Sequence, residues 1–148
     1  MRALIQRVSR ASVIVDEKVV GEIGRGLLVL LGVGQGDSEA QVKIVVDKIV
    51  NLRIFEDDEG KMNRSLLDIG GQVLVVSQFT LYADTRRGRR PSFTDAAPPV
   101  VAETLVEHFK EVVASYGLIV ASGIFGAYMT IEIRNEGPVT IWFDSEQM

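Results

Sequence analysis

The stretch that decides the fold begins with LLVLL at residues 27–31, continues as GVGQG at residues 32–36 and ends in Asp37 and Ser38. Five consecutive apolar residues predict a strand that is buried on both faces. Ser38 and Gln41 match a capping box, which predicts the first turn of a helix. The apolar residues that follow at helical spacing are Val42, Val45, Val46, Ile49 and Leu52. The stretch therefore predicts a buried strand, a glycine turn and an amphipathic helix.

Short β-rich segments surround this unit. On its N-terminal side, residues 4–9, 12–15 and 19–23 are predicted strands, separated by turns at residues 16–18 and 24–26. On its C-terminal side, the predicted elements are a short strand at residues 52–55, a turn at 57–60 and a strand from Gln72 to Ser77.

The last third of the chain predicts a second helix and a hairpin. Pro98 and Pro99 open the helix, since proline is tolerated in a first turn, and Gly117 caps its end. Its predicted apolar face is Ala102, Leu105, Val106, Phe109, Val112 and Val113. Alternation at residues 129–134 and 139–143 predicts two strands joined by residues 135–138. The whole pattern predicts one mixed α/β domain over residues 1–148, with a largely antiparallel sheet.

Composition narrows the chemistry. The chain has no cysteine and a single histidine, His108, which excludes a disulfide framework, thiolate metal sites and a cysteine nucleophile. Zinc hydrolases usually need two or three imidazoles or thiolates, so we expect no metal and no cofactor. Hydrolysis would depend on carboxylates, hydroxyls, backbone amides or the substrate itself. With a net charge of −4 and no signal-peptide or membrane-span pattern, we expect a soluble cytoplasmic protein.

Two loops could bind phosphate. The GVGQG spacing differs from the dinucleotide fingerprint G-x-G-x-x-G, and Asp37 puts a negative charge where a phosphate would sit, so a tight glycine turn is favoured. The run Arg86-Arg87-Gly88-Arg89-Arg90 offers guanidinium groups to a nucleic-acid backbone. A charge run of this kind is as well explained by a solvated loop.

Three further features are candidates for chemistry. Residues 77–80, Ser-Gln-Phe-Thr, follow a strand and could form an oxyanion hole, although ordinary strand-end capping is favoured by composition alone. Gly137-Pro138 could approach a ligand closely or simply turn a hairpin. His108 is predicted to be an exposed helical residue, and residues 57–59 a turn without the calcium-loop spacing.

Several motifs together resemble the D-aminoacyl-tRNA deacylase family. They are RVSRASV at residues 7–13, LRIFED at 52–57, GKMN at 60–63, VSQFTL at 76–81 with an SQxT motif, GRRPSF at 88–93, and NEGPVT at 135–140 with an NxGPVT motif. They occur in the family's order over Met1 to about Asp144. Tyr128 departs from the family, in which many members have Asp.

The resemblance implies a homodimer with a β-barrel-like core and helices packed outside it. It implies hydrolysis of the ester between a D-amino acid, or mischarged glycine, and the terminal adenosine of tRNA. The site residues it implies are Ser77, Gln78, Phe79 and Thr80 for catalysis, Gly137, Pro138, Met129 and Arg7 for binding and rejection of L-amino acids, and Arg86, Arg87, Arg89 and Arg90 for tRNA. In the family the Gly-Pro bond is cis and belongs to the partner subunit's side of the pocket.

The expected mechanism uses backbone amides. Those of Phe79 and Thr80 would stabilise the tetrahedral oxyanion, and the substrate's ribose 2′-hydroxyl would help to activate water. Thr80 as a nucleophile is a secondary route, because nothing in the sequence activates it. Three other functions stay open on the residues alone: a nucleic-acid-binding module without catalysis, a nucleotide enzyme using the glycine loop, and a purely structural dimer.

Overall fold

The computed structural model describes residues 1–148. The strands are β1 (Arg2–Val15), β2 (Lys18–Ile23), β3 (Gly26–Gly32), β4 (Phe55–Glu56), β5 (Met62–Arg64), β6 (Gln72–Ser77), β7 (Val120–Ser122) and β8 (Thr130–Asp144). The helices are α1 (Glu39–Asn51), α2 (Leu66–Ile69) and α3 (Pro99–Ser115), with 3₁₀ turns at Phe79–Tyr82 and Ser145–Gln147.

Strand β1 organises the main sheet. Its first half pairs with β3 and its second half with β2, while β8 pairs along almost its whole length, and all three pairings are antiparallel. Beyond β3, strands β6 and β7 continue the sheet in parallel pairings. Gly21 of β2 packs so closely against the backbone of Ser122 in β7 that a Cβ would collide with it. The sheet therefore nearly closes into a barrel, as expected, within a mixed α/β domain.

The apolar residues of β3 supply two cores. Leu27, Val29 and Leu31 face the larger core, where α1 and α3 cover the sheet, whereas Leu28 faces a smaller core inside the barrel. This division confirms the prediction of a strand buried on both faces, since successive side chains point to opposite faces of a sheet. No helix in the structure combines the length and the apolar character needed to span a membrane.

Both main helices begin and end as their local signals predict. Ser38 is the N-cap of α1, its side chain accepts from the amide of Ala40, and the reciprocal bond from Gln41 completes the capping box. Pro98 precedes α3, and Gly117 follows it with a φ of +83°. Leu52 is the C-cap residue that follows the end of α1, and its partly buried side chain packs against the larger core.

The predicted hairpin at residues 129–143 is wrong. Thr130–Asp144 is one strand, β8, and both of its halves pair with β1, from Ile14 opposite Thr130 to Arg2 opposite Asp144. Between the pairs Val8–Asn135 and Gln6–Thr140, residues 136–139 form a bulge. Proline is tolerated at a bulge because no ladder hydrogen bond is needed there. Alternation is the same for a hairpin and for a bulged strand, so the pattern could not distinguish them.

Other elements differ locally from prediction. The segments at residues 4–9 and 12–15 belong to the single strand β1, and the strand predicted at 52–55 is confined to Phe55 and Glu56. Strand β7 and the short helix α2 were not predicted. The sheet contains three antiparallel pairings, all made by β1, and two parallel ones, so it is largely antiparallel, as predicted. The loop at residues 57–60 is a turn, as predicted.

His108 is not the exposed residue that its position off the apolar stripe predicts. Its side chain is 24% exposed, between Glu39 of α1, 3.9 Å from Nε2, and Glu111, 3.7 Å from Nδ1. The buried Nε2 has no hydrogen-bond partner. The packing of α1 on α3 covers this position, and one helix's pattern does not contain that information.

Candidate active site

A cavity of about 770 Å³ opens where β6 ends. Residues 76–79 form one wall. Residues 93, 94 and 96–99, before and at the start of α3, form a second, and residues 125–129 form a third. Most of the lining is apolar, with Ser77, Gln78, Gln35 and Thr94 as the polar exceptions. A concave, mainly apolar pocket with a few polar groups is the usual form of a small-molecule site.

The backbone changes direction at the end of β6. The amide of Gln78 still donates to the carbonyl of Leu31, 2.8 Å away, and so extends the pairing of β3 with β6. The 3₁₀ turn Phe79–Tyr82 follows at once, and its first bond runs from the amide of Leu81 to the carbonyl of Gln78. The N–H groups of Phe79 and Thr80 precede that bond, so the turn itself does not use them.

The four residues at this turn have different surroundings. Ser77, Gln78 and Phe79 line the cavity, whereas Thr80 is exposed and does not line it. The Gln78 side-chain amide donates to the Thr80 hydroxyl, which links the two side chains. Phe79 is 56% exposed and meets Phe93 edge to face, with ring centroids 5.1 Å apart. No imidazole, carboxylate or lysine lines the cavity.

Met129 also lines the cavity, beside a tyrosine that points into solvent. A Cβ at Gly123 would collide with the Met129 sulfur, so the glycine leaves room for that side chain. Tyr128 is 94% exposed. The wall near Met129 is thus packed, whereas Tyr128 extends from the rim.

Gly137 and Pro138 do not line the cavity of their own chain. Their peptide bond is cis, and they lie in the β8 bulge. Arg7, 5% exposed, donates from Nε to the carbonyl of Glu136 at 3.0 Å and from Nη1 to the carbonyl of Ile54 at 2.7 Å. Arg7 therefore holds the bulge against the segment before β4. Within one chain, the structure does not bring residues 77–80 and 137–138 together.

The arginine run forms a closed loop. Backbone bonds between Asp84 and Ser92, at 2.7 and 3.0 Å, join its ends. Arg86 donates to both Asp84 carboxylate oxygens, at 2.8 and 2.7 Å, and this hydrogen-bonded ion pair holds the pKa of Asp84 well below its usual range. The side chains of Arg87, Arg89 and Arg90 are exposed and form none of the structure's ion pairs. Three of the four arginines are thus available to an external anion.

The glycine loop contacts other parts of the protein. Asp37 accepts from the amide of Gly34 at 2.6 Å and from the Met1 ammonium at 2.8 Å. The ring of Tyr82 lies against Gly34, where a Cβ would be 2.6 Å from its Cζ. These contacts confirm the prediction of a tight turn. No group of three histidine or acidic side chains has an arrangement that could hold a metal ion.

Sequence reasoning missed part of the cavity wall. Phe93 lines it together with Ala96, Ala97 and Phe125, and of these four only Phe93 belongs to a motif noted in the sequence, GRRPSF at residues 88–93. The loop from residue 93 to Pro99 reaches the cavity through long-range backbone bonds, from Gln35 to the Asp95 carbonyl and from Ala97 to the Val33 carbonyl, both 2.9 Å. The signal in the sequence was Phe93, the aromatic residue that ends the GRRPSF motif.

Comparison with known proteins gives a consistent result. The sequence model of the family described as D-Tyr-tRNA(Tyr) deacylase matches residues 4–144. A D-aminoacyl-tRNA deacylase of Roseiflexus castenholzii is 66% identical over 145 residues, which cover 98% of this chain and 92% of that protein. The D-aminoacyl-tRNA deacylase of Fervidobacterium nodosum is 57% identical over 148 residues, which cover 100% of this chain and 99% of that protein.

Solved structures also resemble this one. A protein described as c-Myc DNA Unwinding Element Binding Protein superposes with a TM-score of 0.91 at 42% identity, covering 97% of this chain and 98% of that one. A probable eukaryotic D-amino acid tRNA deacylase superposes with a TM-score of 0.80 at 21% identity, covering 96% of this chain and 97% of that one. The second likeness concerns the fold alone.

Proposed function

The chain belongs to the D-aminoacyl-tRNA deacylase family, whose members are hydrolases, and we propose that it removes both D-amino acids and mischarged glycine from tRNA in the cavity beside Ser77–Phe79. The observation that carries this proposal is the 3₁₀ turn at the end of β6, whose first N–H groups adjoin an apolar cavity without any side-chain base. Charged tRNA is used in translation, so we place the activity in the cytoplasm.

The ester carbonyl is the group that these amides would bind. Water adds to the carbonyl carbon and releases a proton to solvent, and the resulting tetrahedral oxyanion accepts hydrogen bonds from the amides of Phe79 and Thr80. One such donor is worth about 2.7–4 kcal/mol in known cases. The intermediate then expels the ribose oxygen, which takes up a proton, and the products are the free amino acid and tRNA with its terminal hydroxyl restored.

Activation of the water needs a source outside the cavity walls, because those walls carry no imidazole, carboxylate or amine. The ribose 2′-hydroxyl next to the ester is close to the reacting atoms in any bound pose. We assign it the role of orienting the water. The Thr80 hydroxyl already interacts with the Gln78 amide and has no base beside it, so a nucleophilic role is disfavoured.

A second subunit would distinguish the D from the L form of the bound amino acid. The bulge at Gly137-Pro138 lies outside its own chain's cavity, on a strand that is mostly exposed, and Arg7 holds it from inside. In a homodimer the same bulge can reach the partner's cavity, and a two-fold interface provides two equivalent sites. Its carbonyl groups would then collide with an L side chain while a D side chain or glycine avoids them.

Binding of the tRNA backbone is assigned to the arginine loop. Arg87, Arg89 and Arg90 are exposed without ion-pair partners, whereas Arg86 is bound to Asp84 and contributes less. Guanidinium groups form two parallel hydrogen bonds with phosphate oxygens. This positive loop on a chain of net charge −4 gives a local site for a polyanion.

The decisive test compares D-Tyr-tRNA, L-Tyr-tRNA and Gly-tRNA side by side with purified protein in the presence of a chelator. We expect the D ester and the glycyl ester to be hydrolysed and the L ester to persist. Hydrolysis of both enantiomers would contradict the chiral filter, and loss of activity in the chelator would contradict a metal-free mechanism.

The second candidate function is nucleic-acid binding without catalysis. The exposed arginines favour it, as does the description of the 42% identical protein as a DNA-unwinding-element-binding protein. Binding of tRNA or duplex DNA with all three esters intact would support it.

A further inference from the structure

We propose that Arg2 is a positioning residue for the reaction: it holds the turn Phe79–Tyr82 so that the N–H groups of Phe79 and Thr80 stay directed at the oxyanion. The inference rests on the role proposed above for those two amides. Arg2 is the first residue of β1 and lies opposite Gly32 of β3 and Asp144 of β8. It does not line the cavity, so it would act through the turn and not on the substrate.

The guanidinium contacts the turn at two successive residues. Nη1 donates to the carbonyl of Leu81 at 3.0 Å, and the guanidinium carbon lies 4.4 Å from the centroid of the Tyr82 ring. Nε donates to Oδ2 of Asp144 at 3.1 Å, and that carboxylate is only 6% exposed. Arg2 therefore links the turn to the end of β8 by one charged, planar group.

The same turn is packed tightly against β3 and the glycine loop. A Cβ at Gly32 would be 3.2 Å from the Cβ of Leu81 and 3.2 Å from the Tyr82 ring, and one at Gly34 would collide with the same ring. Tyr82 is buried, and that burial raises the pKa of its hydroxyl. The GVG sequence at residues 32–34 thus makes room for Tyr82. Because the Tyr82 ring is fixed there, the bond from Arg2 to the Leu81 carbonyl sets the orientation of the neighbouring peptide groups.

The bond from Arg2 suits this task because of its charge and its place. A hydrogen bond from a guanidinium is about twice as strong as one between neutral groups. It binds a carbonyl near the end of the turn, while the amides that would bind the oxyanion lie at its start. Displacement of catalytic groups by about 1 Å can reduce a rate by about 100-fold. Lysine carries the same charge but lacks the planar fork that makes these three contacts together.

The test measures single-turnover hydrolysis of D-Tyr-tRNA over a range of enzyme concentrations, which separates the maximal rate from half-saturation. For Arg2→Met we expect the maximal rate to fall by roughly 10-fold or more, with half-saturation changed by less than about 3-fold. Arg2→Lys should recover only part of the rate. Added methylguanidinium should raise the rate of an Arg2→Ala variant and leave the wild-type rate unchanged.

The matched control is Arg64→Met. Arg64 also forms an ion pair, with Asp58 at 3.0 Å. It lies on the β4–β5 hairpin and does not contact the Phe79–Tyr82 turn. It should keep both kinetic constants, since an exposed ion pair contributes little.

Three results would overturn the proposal. They are an unchanged maximal rate in folded Arg2→Met, a rise in half-saturation alone, or the absence of rescue by methylguanidinium. If the Arg2 variants do not fold, Asp144→Asn keeps the arginine while weakening its orientation, and it should lower the maximal rate by about 3-fold or more; an unchanged rate there contradicts the proposal. Wild-type protein that leaves D-Tyr-tRNA intact contradicts the proposed function instead, so the two failures are distinguishable.

Discussion

A single buried guanidinium, that of Arg7, joins segments that are far apart in the chain. It bonds to the carbonyls of Glu136 and Ile54, and its Nη2 lies 4.0 Å from Glu56. A buried arginine is costly unless its donors are satisfied, and here backbone carbonyls satisfy them. The position of the β8 bulge therefore depends on a residue that lies 129 positions before Glu136 in the chain.

Thr80→Ala tests whether the backbone carries catalysis. The substitution removes the hydroxyl and its contact with Gln78 but keeps the amide, so we expect most of the single-turnover rate on D-Tyr-tRNA to remain. A loss of more than about 10⁴-fold in a folded variant exceeds the effect of one oxyanion donor and would contradict the backbone mechanism.

Tyr128→Asp tests the residue that departs from the family pattern. Because Tyr128 is 94% exposed, we expect the free energy of unfolding to change by less than about 0.5 kcal/mol. Met129→Ala is the contrasting variant, since that side chain packs against Gly123 and its loss should cost about 1–3 kcal/mol. Denaturant unfolding measures both. A large destabilisation by Tyr128→Asp would show that the side chain is packed.

At the scale of elements, the β4–β5 hairpin supports the bulge through Arg7. Its turn is held by Asp57, which accepts from the Asn63 side chain at 2.7 Å and from the amides of Glu59 and Lys61 at 2.9 and 3.0 Å. These bonds lower the pKa of Asp57 from its usual 3.8, and the bond from the Asn63 side chain has the largest effect. The turn is therefore stabilised by the ionised carboxylate.

Asp57→Asn should show this dependence on pH. A carboxyl whose pKa is lower in the folded state stabilises the protein above its unfolded pKa, and this contribution is lost as the pH falls through the folded value. We expect the wild type to melt at a higher temperature than Asp57→Asn at neutral pH, with the difference shrinking as the pH falls below 3.8. Asp16→Asn, at an exposed turn, is the control. A constant difference at every pH would contradict the assignment.

At the scale of the whole molecule, the site is proposed to need two chains. Gly137→Trp places bulk in the bulge, and Ala97→Trp fills the cavity of the same chain. Each variant alone should be inactive on D-Tyr-tRNA. Co-expression with two affinity tags yields mixed dimers in which one of the two sites is intact. We expect about half of the wild-type activity from the mixed dimer isolated through both tags, and about a quarter from the unfractionated, randomly paired mixture.

Two outcomes would contradict the shared site. One is an active Gly137→Trp homodimer, because the bulge would then have no part in the cavity. The other is a mixed dimer, isolated through both tags, that remains inactive. The two proteins purified separately and mixed just before the assay serve as the control for exchange.

Salt dependence tests the arginine loop. Neutralising Arg87, Arg89 and Arg90 with Gln should weaken tRNA binding and reduce the slope of log affinity against log salt by roughly 2–3. The matched triple variant replaces three exposed lysines, Lys43, Lys48 and Lys61, which changes the net charge equally. An equal effect of both triple variants would assign the binding to overall charge and not to the loop.

Local patterns were enough to predict the elements whose signals lie within a few residues. The apolar run at 27–31, the capping box at Ser38 and the proline start of α3 each depend on neighbours in the chain, and each was confirmed. The motifs of the family were also local: Ser77, Gln78 and Phe79 line a cavity and Thr80 does not, while the catalytic role of all four stays a prediction. The predictions of an exposed His108 and of a hairpin turn at residues 135–138 were wrong, because other elements of the fold determine the surroundings of these residues.

The sequence alone determined the buried strand, the two main helices, the lack of cysteine chemistry and the family, because these follow from residue types and short spacings. Only the tertiary structure decided that β8 is one bulged strand, that Arg7 holds the bulge, that Tyr82 fills the space left by Gly32 and Gly34, and that the loop before α3 completes the cavity. Each of these contacts joins residues far apart in the chain. Their energies depend on which surfaces meet, and a local pattern does not contain that information.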